Sequence, residues 1–203
     1  MVAAFALFLV ACGQPMKEEP KKAPVKPPDQ YRVKFDTTKG EFTIEVKREW
    51  SPRGADHFFE LLHYKFYNGV RFHRTIRGFV AQFGINGNPK VNQIWALAQI
   101  PDDPVKQKNK RGTITYAKLG PNSRTTQVFI NLRDNPELDS TGFAPFGKVV
   151  DGMDVVDKLA YLYGELKPRG HGPDPTKIEI EGNKYLDREY PRLDAIKTAT
   201  VVP

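Results

Sequence analysis

The sequence predicts a mainly β fold, a sandwich or barrel, built from residues 31–203. Three observations carry that prediction. Short runs of alternating apolar and polar residues recur along the chain, divided by turns rich in Gly, Pro and Asn. Only two stretches have convincing helical spacing. With 39% apolar and 27% charged residues, a chain of 203 residues can bury one core, and a polytopic membrane protein is excluded.

The first thirty residues stand apart. Residues 2–11 (VAAFALFLVA) carry no charge, but they are too few for a ~30 Å hydrocarbon layer, which needs about 20 residues. Such a run reads as the apolar region of a signal peptide. It ends in Leu9-Val10-Ala11-Cys12-Gly13, which resembles the bacterial lipobox, whose cysteine receives lipid. No basic region precedes it, so the expected leader starts upstream of Met1 or is truncated. The alternative is a buried N-terminal strand with an incidental cysteine, and the next segment argues against it. Residues 13–30 hold five of the 17 prolines and seven charges. With little to bury, they are expected to form an extended, disordered tether. The expected organisation is a leader at 1–11, a lipid-bearing Cys12 with its tether at 12–30, and a domain at 31–203. This places the protein in a bacterial cell envelope, lipid-anchored and facing the extracytoplasmic side.

Within the domain, residues 31–35 and 41–47 alternate around a turn at 37–40 and predict a β-hairpin. Ser51-Pro52 predicts a helix start, with Ser51 as N-cap and Pro52 at the first helical position. Phe58, Leu61, Leu62 and Phe66 follow at helical spacing. After the Asn68-Gly69 turn, residues 70–83 return to strand-like alternation. Residues 84–110 predict a long irregular stretch, and such loops are often functional. Residues 113–117 and 127–131 predict strands around a Gly120-Pro121-Asn122 turn, and 146–150 another. Residues 152–162 predict the second helix, with Met153, Val156, Leu159 and Ala160 on one side. A Gly/Pro-rich loop at 164–176, a short helix at 183–192 and a closing strand at 195–202 complete the chain.

Several chemistries are excluded. A single cysteine rules out a disulfide framework. The four histidines, His57, His63, His73 and His171, form no metal-ligand spacing, and no metal or cofactor is expected. None of Ser51, Ser123 and Ser140 lies in a nucleophile elbow. The net charge of +7 raises nucleic acid as a partner. Of the 31 Lys and Arg, 27 lie in 31–203 with 21 of the 24 acids, so the excess spreads over the domain. Lys106, Lys108, Lys110 and Arg111 cluster without an aromatic RNA-binding motif and read as a solvated face. No nucleic-acid partner is expected.

One constellation remains. Phe72-His73-Arg74, then Gly78-Phe79 and Gln82, resembles the signature of cyclophilin-type peptidyl-prolyl isomerases. Three further segments are similar to that family in the same order: GTITYA at 112–117, GPNSRTTQVFI at 120–130 and FGKVVDGMDVV at 146–156. The resemblance implies a closed eight-stranded antiparallel β-barrel capped by two α-helices. It implies that the substrates are X–Pro bonds of proline-containing peptides and unfolded proteins, with a role in protein folding; the leader and tether make those proteins extracytoplasmic, and a monomer is expected.

Carried over residue by residue, the resemblance makes Arg74 the catalytic donor. Gln82 holds the substrate backbone and helps orient Arg74. Phe79, Val80, Phe129 and Leu138 line the proline pocket. Ala117, Lys118 and Gln127 line the adjoining groove, Lys118 chiefly through its main chain. The chain departs from the pattern where Val80 replaces a usual Met and Lys118 a usual Asn. Phe143 stands nearest the usual pocket His, and Glu137 replaces the Trp associated with tight cyclosporin binding, with one residue inserted between Leu138 and Phe146. Residues 164–192 exceed the family's connection before the last strand and predict a lineage-specific loop and helix.

Overall fold

Alternation builds the sheet. In the computed structural model, which describes residues 26–203, strand β1 (Gln30–Thr37) buries Tyr31, Val33 and Phe35 and points Arg32 and Lys34 outward. It pairs antiparallel with β2 (Gly40–Lys47) across the expected turn. The remaining strands are β3 (Arg74–Ile76), β4 (Val80–Phe83), β5 (Thr113–Tyr116), β6 (Val128–Asn131), β7 (Pro145–Asp151) and β8 (Ile196–Val202). Together they form one eight-stranded sheet in the order β3-β4-β6-β5-β7-β2-β1-β8. Every pairing is antiparallel, and the sheet curls as a half-barrel. Ahead of β3 and β8, Arg71 and Ala195 form an isolated antiparallel bridge. The Phe72 amide donates to Asp194 O (2.9 Å) and the Ile196 amide to Val70 O (2.8 Å) beside it. The leader and Cys12 lie outside the described residues.

The concave face is filled by Phe35, Phe42, Ile44, Phe83, Ile114, Ile130 and Phe146, closed by helix α1 (Pro52–His63) through Ala55, Phe58 and Leu61. Each buried aromatic or aliphatic side chain contributes roughly 1.5–3 kcal/mol. Ser51 stands at the N-cap and Pro52 opens α1, as expected, but the Ser51 side chain makes no bond to the first turn. Its hydroxyl donates to Asp103 (2.6 Å), and the carboxylate of Asp103 also accepts from the amides of Gly54 (3.0 Å) and Arg53 (3.3 Å). A residue some fifty positions away therefore satisfies the orphan donors of the first turn.

Three expectations change. Residues 70–83 form a hairpin rather than one strand, because Gly78 takes a left-handed φ of 67° and the Phe79 amide donates back to Ile76 O. The helix expected over 152–162 is only α4 (Met153–Asp157). Beyond it the Ala160 amide is drawn to Asp194 Oδ2 (2.6 Å), which ends the helical ladder. The described residues hold six helices where three were expected. The additions are α2 (Pro89–Trp95), α3 (Pro136–Ser140) and α5 (Pro175–Glu181), while α6 (Asn183–Glu189) is the short helix expected at 183–192. Helices α5 and α6 enclose a second small core of Ile85, Ile178, Tyr185, Leu186, Tyr190 and Leu193, with Tyr163 packed against it.

His73, ahead of β3, is 1% exposed, and neither ring nitrogen has a hydrogen-bond partner among the described residues. Burial pushes its pKa from 6.5 down to about 4. The folded state thus keeps the ring neutral while the unfolded chain takes up a proton below pH 6.5. The stability this represents is complete above that pH. It is lost as pH falls toward 4 and amounts to ~3 kcal/mol. Urea unfolding of His73→Phe at pH 7.5 and 4.5 is expected to show a shallower acid loss than wild type. An unchanged slope rules this out.

Candidate active site

The register of three short strands assembles the site. Arg74 pairs with Gln82, and Gln82 pairs with Phe129. Side chains alternate faces along a strand, so these three form one row across the convex face while Thr75, Ala81 and Ile130 turn inward. Phe129 in turn pairs with Thr115 on β5. The same parity puts Gln127 and Asn131 on that face with Phe129.

Hydrogen bonds link the row. Arg74 Nη1 donates to Gln82 Oε1 (3.1 Å), and Gln82 Nε2 donates to Gln127 Oε1 (2.9 Å). The guanidinium of Arg74 lies 5.5 Å from the Phe79 ring centroid, a cation–π distance. Gln82 is 8% exposed and Phe129 5%, so the floor is largely desolvated. Phe129 meets Phe143 edge-on at 5.8 Å. Val80 is buried beside Phe79 in the sequence, and Leu138 and Phe143 are joined by the bond from the Phe143 amide to Leu138 O. Ala117 is half-buried, and its amide donates to Gln127 O (2.9 Å).

The Lys118 side chain makes contacts of its own. Its ammonium pairs with Asp102 (2.9 Å) and lies 5.4 Å from the Phe143 ring centroid. Glu137 points away into an ion pair with Arg133 (2.7 Å) and is half exposed.

Two features beneath and beside the row are not legible in its motifs. A buried amide network supports the row: Asn135 Nδ2 donates to Asn131 Oδ1 (2.7 Å) and Phe79 O (3.1 Å). Asn131 Nδ2 reaches Thr113 Oγ1 (2.9 Å), and Asn109 Nδ2 reaches Phe143 O (2.9 Å). With Asn131 Nδ2 also donating to Asn109 Oδ1 (3.2 Å), these bonds tie the backbone of Phe79 to that of Phe143. The second feature is Glu165. Its carboxylate accepts from Arg74 Nε (2.6 Å) and Nη2 (2.8 Å), a bidentate pair. The bonds from Arg74 hold the Glu165 carboxyl below its ordinary value.

The row sets a guanidinium, two amide side chains and the buried Phe129 side by side, the class of surface that binds and polarises rather than attacks as a nucleophile. Comparison with known proteins agrees with that class. The family model for cyclophilin type peptidyl-prolyl cis-trans isomerases matches residues 32–181. An Acinetobacter baylyi peptidyl-prolyl cis-trans isomerase is 38% identical over 140 residues, 63% of this chain and 71% of its own length. Peptidyl-prolyl cis-trans isomerase B of Escherichia coli is 36% identical over 141 residues, 63% and 82% of the two chains. The crystal structure of a Cryptosporidium parvum cyclophilin-type isomerase superposes with a TM-score of 0.63 at 21% identity, over 86% of this chain and 98% of that one. The chain belongs to the cyclophilin-type peptidyl-prolyl cis-trans isomerase family, and its enzyme class is EC 5.2.1.8.

Proposed function

We propose that the chain isomerises X–Pro bonds of unfolded or flexible polypeptides outside the cytoplasm, with Arg74 as the catalytic donor. The observation that carries this reading is the row Arg74–Gln82–Phe129, hydrogen-bonded on one side and apolar on the other.

Rotation about the X–Pro bond breaks amide resonance against a barrier of about 18–20 kcal/mol. No covalent bond forms or breaks, so the enzyme must only favour the twisted amide over both planar forms. In the twisted form the prolyl nitrogen regains a lone pair. A guanidinium N–H aimed there gains a hydrogen bond that neither planar state offers. Arginine suits the task because it stays charged and presents a planar fork of donors. Phe79, Val80, Phe129, Leu138 and Phe143 grip the pyrrolidine ring, which fixes one side of the rotating bond. Gln82, Gln127 and the main chain of Ala117 and Lys118 hold the flanking backbone. A thousandfold acceleration requires about 4 kcal/mol, within reach of one charged hydrogen bond plus positioning. A proline-isomerisation assay on wild type and Arg74→Ala tests the reading. Absence of catalysis in wild type leaves only a proline-binding module.

The envelope location rests on the segment at 1–30, where Cys12 is the proposed lipid attachment point. Each buried acyl methylene contributes roughly 0.8 kcal/mol, so more than one chain holds a domain stably at a membrane. Cys12→Ser, expressed in a bacterium, is expected to move the protein from the membrane fraction to the soluble fraction. Continued membrane association argues against lipidation.

A further inference from the structure

We propose that Glu165, on the extra segment 164–192, is a positioning residue for the reaction, holding Arg74 from the side opposite Gln82. The inference rests on the reading of Arg74 as the catalytic donor.

The donors of Arg74 divide cleanly. A guanidinium has five N–H bonds. Glu165 takes the Nε–H and one on Nη2, and Gln82 takes one on Nη1. One N–H on each of Nη1 and Nη2 is left for substrate. With the Phe79 ring 5.5 Å from the guanidinium carbon, the group is held at its Nε edge, at Nη1 and from one face. Arginine has many rotamers, and restraining it before substrate arrives lowers the ordering required in the transition state.

Glu165 is itself presented rigidly. The Leu166 amide donates to Glu165 Oε1 (2.9 Å), which fixes the carboxylate against its own backbone. The Gly172 amide donates to Glu165 O (2.8 Å), and the Gly170 amide to Leu166 O (3.0 Å). Gly172 O in turn accepts from the Tyr190 hydroxyl (3.1 Å), and Tyr190 packs edge-on against Tyr163 at 5.0 Å. The second core thus anchors the turn carrying Glu165. The turn also leaves no slack: a Cβ at Gly170 would lie 2.5 Å from Glu165 O, and one at Gly172 2.7 Å from it. A carboxylate on so tight a mount acts as a fixed brace rather than a swinging blocker.

The experiment compares the full chain with Glu165→Ala, Glu165→Gln and Arg74→Ala, using a proline-containing tetrapeptide and separating kcat from KM by exchange spectroscopy. Glu165→Ala is expected to lower kcat about tenfold with KM changed less than about twofold. Glu165→Gln keeps the shape and one acceptor, and is expected to fall between. Melting temperatures close to wild type separate positioning from unfolding. The Arg74 Nε–H resonance supplies a readout that a structural role would not move: it is expected to be sharp in wild type and to broaden in both Glu165 variants. An unchanged kcat in a folded Glu165→Ala overturns the proposal. So does a raised kcat, which would show that the carboxylate competes with substrate. If Arg74→Ala keeps full activity, the reading of Arg74 fails instead.

Discussion

Arg74→Ala is expected to lower proline-isomerase activity by about a hundred- to a thousandfold, the usual cost of removing one preorganised donor. The fold has little reason to suffer. Arg74 sits on the convex face at 17% side-chain exposure and is absent from the hydrophobic core. The loss should fall on kcat, because the lone pair that Arg74 meets exists only in the twisted amide. Arg74→Lys is expected to recover little. An ammonium cannot reproduce the side-on pair to Glu165 together with the bond to Gln82. Activity within twofold of wild type in a folded Arg74→Ala would sink the mechanism.

The second large effect concerns stability. Asp103 and Arg124 pair at 3.1 Å with side chains only 3% and 4% exposed. Asp103 also accepts from Ser51 and from the amide of Gly54, while Arg124 reaches Pro101 O and Tyr116's ring. Burial pushes the Asp103 carboxyl up, but the bonds from Ser51, Gly54 and Arg124 outweigh it and hold it below 3.8. Asp103→Ala takes the nearer carboxylate from buried Arg124 and leaves only Asp102, at 3.4 Å, as its counter-ion, which costs about 3–5 kcal/mol. In a domain of this size that lowers Tm by roughly 10 °C. The double variant Asp103→Ala, Arg124→Met should lose less than the two single changes added, since no stranded charge remains. Additive losses in urea unfolding would show that the pair is not coupled.

Much of this was readable in the residues. The alternation of Tyr31, Val33 and Phe35 against Arg32 and Lys34 places β1 directly, because period two has one structural meaning. Arg74, Gln82 and Phe129 were legible through their motifs, and strand register explains why those motifs share a face. Three helices escaped notice yet share a start signal: Asn88-Pro89, Asn135-Pro136 and Asp174-Pro175. Asn88 and Asp174 accept amide bonds from their first turns, and proline occupies a position whose N–H would be orphaned anyway. The helices are five to seven residues long, too short for periodicity to register. Glu165 and Asp103 were invisible for a different reason. Glu165 lies 91 residues from Arg74, and Asp103 lies 52 from Ser51. A single acid in an irregular loop has no period, and only the folded path brings it to its partner.

The strand order carries a consequence for how the protein is made. β1 is the first strand synthesised, and its outer edge is covered by β8, the last, with Arg32 opposite Val202. Until the ribosome has passed Val202, β1 and β2 can form only a hairpin whose outer edge offers unpaired backbone to any neighbouring chain. Pairing across so long a separation is intrinsically slow. The sheet is therefore completed only once β8 has been made and has found β1. That interval is when a holding chaperone would matter most to it.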